Sequence, residues 1–402
     1  MLVLNGNIIT MAENMPVSIT EKNNLGFVYV EGDKINRTGN MRELPKDLAD
    51  RHRQEKQPVL DVHGAWVLPG LIDAHCHVGI TEEKWGTVGD DCNEVTSPLT
   101  PHLRAIDAVN PMDPAFHDAI IAGITSLMTG PGSSNVAGGQ SLFMKVHGRC
   151  IDQMVVKTPA AIKIAFGENP KMNYGNKDKS PYSRMAVAGL LREELWKAAR
   201  YMEKKDKGDI SFEEEDFRME SWIPVLRGEI PVKAHVHRAD DILTAIRIAK
   251  EFHIKMTLDH CTEGHLVADE IAESGFPVIA GPGLASRSKI EVKNMSFKTA
   301  GILEKAGIKT AVMTDHPVSL IRYLPLCAGL CVKQGLSMAG GLRAITINAA
   351  QICGVADRTG SLEAGKDADI AIFTGNPMEV FTKTLYTIVN GEIVYSMEDY
   401  YG

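Results

Sequence analysis

From residue 68 to about 354 the sequence keeps returning to one unit, a short apolar strand-like run followed by a stretch with helical spacing. Segments 70–77, 124–129, 141–146, 161–167, 230–236, 254–260, 277–281 and 308–314 fit the strand half of that unit. Such alternation is the mark of βαβ units, whose parallel sheet is covered on both faces and therefore reads as continuous apolar runs. Between the fifth and sixth runs, "ADDILTAIRIAKEFH" predicts a helix with Asp240 or Asp241 as N-cap and Ile242, Ile246, Ala249 and Phe252 on one face. Eight strands joined by helical crossovers predict an α/β fold, a closed (β/α)8 TIM barrel, with its active site at the C-terminal strand ends.

The two ends of the chain differ from this middle. "LVLNGNIIT", "LGFVYVEGDKI" and "QPVLDVHGAWV" read as short strands, with "NG" and "EGD" as turn signals, and "DADIAIF" and "YTIVNGEIVY" repeat the texture near the C-terminus. The connection 169–229 is too long for a plain loop. Within it "SRMAVAGLLREELWKAARYMEKKD" predicts a long helix and "DKGDISFEEEDFR" a solvated charged surface.

Composition narrows the partners. A formal net charge of -8 disfavours nucleic acid and anionic membrane, which attract basic patches, and leaves a small molecule as the expected partner. No apolar stretch is long enough to span a bilayer. The cysteines are seven, an odd number without a CxxC pair, and the N-terminal stretch lacks the features of a secretory signal; both fit reduced thiols and a cytoplasmic location.

If the barrel forms, chemistry belongs where its strands finish. The first run, "LPGLIDAHCHVGI", ends in His75 and His77, which a period of two places on one face with Cys76 on the other. "IPVKAHVHRAD" ends in His235 and His237, "IKMTLDHC" in His260, and "IKTAVMTDHP" in Asp315 and His316; "AAIKIAFGENP" carries Lys163 and ends in Glu168. One histidine at a strand end is ordinarily a satisfied polar residue, and one aspartate a helix cap. Five imidazoles converging on one rim are less easily accidental. Imidazole with carboxylate is the ligand set of zinc, and also of manganese or iron. A metal held this way polarises a carbonyl and lowers the pKa of water toward neutrality, so hydrolysis is the expected output, with Asp315 as proton acceptor.

"VLPGLIDAHCH", "MTDHP" and "TINAAQICGVADRTGSLEAGKDADIAIF" together resemble the amidohydrolase superfamily over nearly the whole chain. The resemblance implies that residues 1–66 and 355–402 build one small β-sandwich domain beside a barrel of residues 67–354. It implies that His75 and His77 bind the more buried of one or two divalent metals, most simply zinc, that His235 and His260 bind the second, and that Asp315 is the base. Members commonly form homo-oligomers.

Some of those family members bridge two metals by a carboxylated lysine, which "IKIA" around Lys163 resembles; others use glutamate, which "FGENP" around Glu168 resembles. A separation of five residues aims the two side chains at opposite faces, unless the strand twists at Gly167. Glu168 is the preferred ligand and Lys163 the alternative, its ordinary role being a buried lysine paired to a carboxylate. His237 shares a face with His235 and is a candidate catalytic residue. Arg287 is a candidate anchor for a substrate carboxylate; His265 and His316 are further candidate substrate contacts, with His265 alternatively capping the next helix. "TGPGSSNVAGGQ" lacks the ending of a phosphate-binding loop and is expected to form a pocket wall.

The chain is thus expected to be a metal-dependent amidohydrolase of the imidazolonepropionase-related branch, cleaving an amide or cyclic amide. The alternatives are a metallo-dipeptidase or carboxypeptidase, a ring deaminase, and a non-enzymatic barrel that binds partners. The last would be expected to have lost ligand positions that here are filled.

Overall fold

The computed structural model describes residues 1–12, 25–45, 48, 50, 54, 57–83 and 86–398. Its middle is a nearly closed barrel of eight strands: β6 (Leu71–Cys76), β7 (Ile124–Thr129), β8 (Ala137–Lys145), β9 (Val155–Ala165), β10 (Val232–Val236), β11 (Met256–His260), β12 (Val278–Ala280) and β13 (Thr310–Val312), hydrogen-bonded in that order. All eight expected runs are strands. Their near-complete burial explains the continuous apolar pattern, since one face meets the barrel interior and the other the surrounding helices.

One strand departs from the parallel expectation. β8 runs antiparallel to both β7 and β9, while β6–β7 and β9 through β13 pair in parallel. The cause is connection length: only 130–136 separates β7 from β8, and a parallel return needs a crossover of about a dozen residues. The barrel is therefore not a uniform (β/α)8 array. No ladder joins β13 to β6; the seam is made by Asp315 N donating to His75 O (3.2 Å), His77 N to His316 O (3.0 Å) and Thr314 N to the buried carboxylate of Asp73 (3.1 Å).

Strands from both ends of the chain form a second eight-stranded sheet: β1 (Leu2–Ile8), β2 (Gly26–Glu31), β3 (Lys34–Asn40), β4 (Val59–Asp61), β5 (Trp66–Pro69), β14 (Ile370–Phe373), β15 (Thr384–Val389) and β16 (Glu392–Ser396). The N-terminal β5 and C-terminal β14 pair antiparallel, Val67 opposite Ile372, which joins the two ends in one sheet. Val3, Val28, Val30, Ile35, Val67, Ile370, Ile372 and Ile388 are its buried core. The turn signals hold at Gly32 and at Asn390-Gly391, both with positive φ. Asn5-Gly6 is different: it lies inside β1, where Asn5 has φ +55 and the register with β2 shifts.

The long helix of the 169–229 connection spans Arg184–Asp206, capped by Ser183. The helix after β10 spans Ala239–Glu251, with Ile242, Ile246 and Ala249 buried, but its N-cap is Arg238, so neither expected aspartate caps it. Asp241 lies in the first turn, where it receives the Arg184 guanidinium at 3.0 Å.

Candidate active site

The first strand delivers two imidazoles, and barrel closure delivers Asp315 to them. Asp315 Oδ1 is 3.2 Å from His77 Nε2 and 3.4 Å from His75 Nε2. Across the cavity His235, His237 and His260 form a second knot, with ring centroids 4.3 to 4.6 Å apart. His75 ties the two groups together, its ring centroid 5.7 Å from that of His260. These six residues are buried, and the donor atoms within each triad lie within 4.8 Å of one another.

The outer nitrogens fix which atoms face inward. His75 Nδ1 meets Asp259 Oδ2 at 3.1 Å, His77 Nδ1 the Gly130 carbonyl at 2.7 Å, and His260 Nδ1 the Gly281 carbonyl at 2.9 Å. A carbonyl or carboxylate can only accept, so each Nδ1 carries a proton, which turns each Nε2 toward the cavity. His237 Nδ1 is held by Thr262 Oγ1 at 2.7 Å. His235 has a hydrogen-bond partner at neither ring nitrogen although it is only 3% exposed. Such a buried, unpaired donor set fits a divalent metal ion.

Electrostatics favour the neutral, ligand form in the second group. Burial, then the proximity of His237, holds His235 well below the ordinary imidazole range; burial and then Lys289 bring His237 down to about 3; burial and then His235 lower His260. These rings are neutral at physiological pH. Burial pushes the Asp315 carboxyl up, but its contacts with His260, His75 and His77 outweigh it and keep Asp315 ionised. Positive φ angles at His260 (+69), Cys261 (+50) and Asp315 (+53) mark the strand ends where the chain turns to aim these groups.

On the fourth barrel strand Lys163, not Glu168, faces the site. Lys163 Nζ stands 3.1 Å from His75 Nε2 and lines the cavity. Glu168 belongs to neither imidazole cluster. The twist at Gly167 does occur, at φ +82, but it starts a helix at Glu168, whose N–H donates to Glu291 Oε2 at 2.8 Å. Burial brings the Lys163 ammonium down to about 8 against the opposing pull of Asp259 and Asp315.

The cavity measures about 390 Å³ and is walled by Gly132, Ser133, Asn169, Thr262, Lys289 and Met295 besides the cluster residues other than His75. The expected glycine-bearing wall is thus in place. Three expected substrate contacts are not. Arg287 is exposed and donates to Met295 O at 3.3 Å, outside the cavity lining. His265 turns to Thr299 Oγ1 (3.1 Å), and Val267, not His265, is the N-cap of the next helix. His316 is fully buried, its Nδ1 accepting from Ile321 N at 3.2 Å, which makes it a packing residue of the turn after β13.

Three residues of the site escaped sequence reasoning: Asp259, Lys289 and Glu291. Asp259 carried a usable signal, because a carboxylate in an otherwise apolar strand must find partners, and Lys163 and Lys233 stand at matched register on neighbouring strands. Lys233 Nζ indeed lies 3.2 Å from Asp259 Oδ2. Glu291 lies in a single 3-10 turn (Ile290–Val292) with Lys289 as its N-cap, too short for any periodicity to point a side chain.

A barrel with imidazoles and a carboxylate gathered at its strand ends defines a class, the metal-dependent hydrolases. Comparison with known proteins narrows it. A family model described as the amidohydrolase family matches residues 277–395. The crystal structure of an amidohydrolase from Thermotoga maritima MSB8 superimposes with a TM-score of 0.90 at 37% identity, covering 98% of this chain and 99% of that one. Amidohydrolase tasK of Hapsidospora irregularis is 26% identical over 91% of this chain, which spans only 40% of that protein's length. Imidazolonepropionase of Rhizobium meliloti (strain 1021) is 24% identical over 92% of this chain and 89% of its own. The chain belongs to the amidohydrolase superfamily and is a hydrolase acting on carbon–nitrogen bonds. Among the described residues no helix is long and apolar enough to cross a membrane.

Proposed function

We propose that the protein hydrolyses a C–N bond, in an amide or cyclic amide of a small molecule, with metal-activated water and Asp315 as general base. The observation that carries this reading is the gathering of His77, His260, Asp315 and the unpartnered His235 on one cavity, with His75 Nε2 against Asp315 behind them. His75 and His77 would hold one divalent ion with Asp315, His235 and His260 the second, with zinc the best match to this donor set and manganese or iron the alternatives. A bound divalent ion supplies carbonyl polarisation and a lowered water pKa.

The chain's own groups do the rest. Asp315, ionised and 3.2 Å from His77 Nε2, is placed to take a proton from water and pass it to the leaving nitrogen. Asp259 orients His75 through Nδ1, so its Nε2 keeps one direction. Lys163, with its lowered pKa, has enough free amine near neutral pH to take up carbon dioxide, which favours a carboxylated Lys163 over Glu168 as the bridging ligand. The division into a small β domain of residues 1–66 with 355–402 and a hydrolase domain of 67–354 belongs to the same proposal.

The test is a hydrolysis screen of N-acyl amino acids, dipeptides and lactam-like rings with zinc or manganese supplied, alongside elemental analysis. Turnover of one class with near-stoichiometric metal, lost on changing His75 or His260 to asparagine, is the expected result. A folded protein that takes up no metal would remove the reading in favour of a binding role.

A further inference from the structure

We propose that Glu291 is a metal ligand that joins His235 and His237 at the second metal position. The inference rests on the metal-dependent reading above. It goes beyond that reading, which gives the second ion only His235 and His260.

Glu291 Oε1 lies 3.7 Å from His237 Nε2 and 3.9 Å from His235 Nε2. Those separations are too long for hydrogen bonds, yet near the roughly 3.3 Å between two donors on one tetrahedral zinc ion. The carboxylate is 1% exposed, and its environment is built around it. Oε2 accepts the Glu168 N–H at 2.8 Å. Gly167 makes room for that contact, because a Cβ there would stand 2.5 Å from Oε2. Lys289 Nζ pairs with Oε1 at 2.6 Å, is held in turn by Asn169 Oδ1 at 2.9 Å, and Asn169 Nδ2 donates to Ser133 Oγ at 2.7 Å. Loops after three different barrel strands thus converge to hold one carboxylate beside two imidazoles.

The independent sign of a ligand is His235, buried with both ring nitrogens unpartnered at the centre of this group. His237 Nδ1 is engaged by Thr262, which leaves its Nε2 directed at the same space. Imidazoles with a carboxylate are donors that suit zinc, manganese or iron. Lys289 then offsets charge at the carboxylate and keeps it aimed.

The experiment titrates chelator-stripped protein with cobalt(II), counting bound equivalents by elemental analysis and following the visible absorption. Wild type is expected to take two equivalents, with E291Q and H237N each weakening the second at least tenfold and changing its absorption while the first is untouched; H75N should weaken the first. A second equivalent bound by E291Q as tightly as by wild type, with the same spectrum, overturns the proposal. A single wild-type equivalent weakened by both E291Q and H237N supports it, and one that E291Q leaves unchanged overturns it while leaving the hydrolase reading standing. Wild type that binds no cobalt overturns the hydrolase reading itself. Glutamine keeps an acceptor for the Glu168 N–H, and melting of the metal-free proteins reports folding. E291D, which withdraws the oxygen while keeping the charge, serves in the same titration should E291Q not fold.

Discussion

Asp315 combines two properties that pull apart in most carboxylates: it is buried, and it stays ionised. Burial alone would protonate it, whereas the imidazoles around it favour the anion, so a base is available throughout the neutral range. Changing Asp315 to asparagine preserves shape and removes the proton acceptor, together with one charged donor to the ion that His75 and His77 would hold. Turnover of the substrate found by the screen should fall by about 10²- to 10⁴-fold with the melting temperature nearly unchanged; steady-state kinetics and a thermal melt check both. At this scale much was legible. His75, His77, His235 and His260 end apolar runs, and a period of two fixed their common direction before any coordinates were needed. Arg287 and His316 were not legible, because a side chain after the last strand residue obeys no period and its direction depends on what the turn packs against.

At the scale of elements, the turn between β9 and the helix that begins at Glu168 shows how a backbone angle can serve chemistry. Gly167 has φ +82, and an added Cβ would meet Glu291 Oε2 at 2.5 Å. An alanine there should destabilise the fold by about 1–2 kcal/mol from the left-handed conformation, and should also displace Glu291 and reduce turnover. Gly275 provides the comparison: its φ is +73, but a Cβ would meet nothing within 4 Å. Gly275→Ala should therefore lose similar stability and keep its activity, as urea denaturation and turnover of the two variants would show. The sequence "FGEN" announced a special turn here but not its purpose, since the useful atom of Glu168 is its amide nitrogen rather than the carboxylate. The antiparallel β8 was hidden by its boundary. The apolar run read as a strand begins at 141 and leaves 130–140 for a crossover, whereas β8 begins at Ala137 and leaves only 130–136.

For the whole molecule, the decisive joint is the one between barrel and terminal sheet. Lys145, at the end of β8, reaches Asp367 Oδ2 at 2.9 Å and also contacts Asp369, while Arg358 donates to Asp367 Oδ2 at 2.9 Å. The Asp367 side chain is wholly buried, and Lys145 keeps Asp369 when Asp367 loses its charge, so Asp367→Asn should cost about 1–3 kcal/mol. Burial pushes the Asp367 carboxyl up, but Lys145, Lys34 and Arg358 bring it below its ordinary 3.8. A depressed folded-state pKa gives stability that is present above pH about 4 and is lost as pH falls through the folded value. The stability gap between wild type and Asp367→Asn, measured by urea denaturation, should be level from pH 5 to 8 and should narrow below 4. A gap constant into the acid range would mean that this node does not titrate as its surroundings dictate.

The sequence by itself determined the strands, their burial and the inward direction of the first histidines, because hydrogen-bonding period and hydrophobic burial are local consequences of residue order. Only the tertiary structure decided that Lys163 rather than Glu168 meets His75, that Asp259 and Glu291 join the site, and that β8 reverses direction within the barrel. Those outcomes depend on where loops cross and which buried charges find one another across the barrel, distances that the order of residues along one strand does not contain.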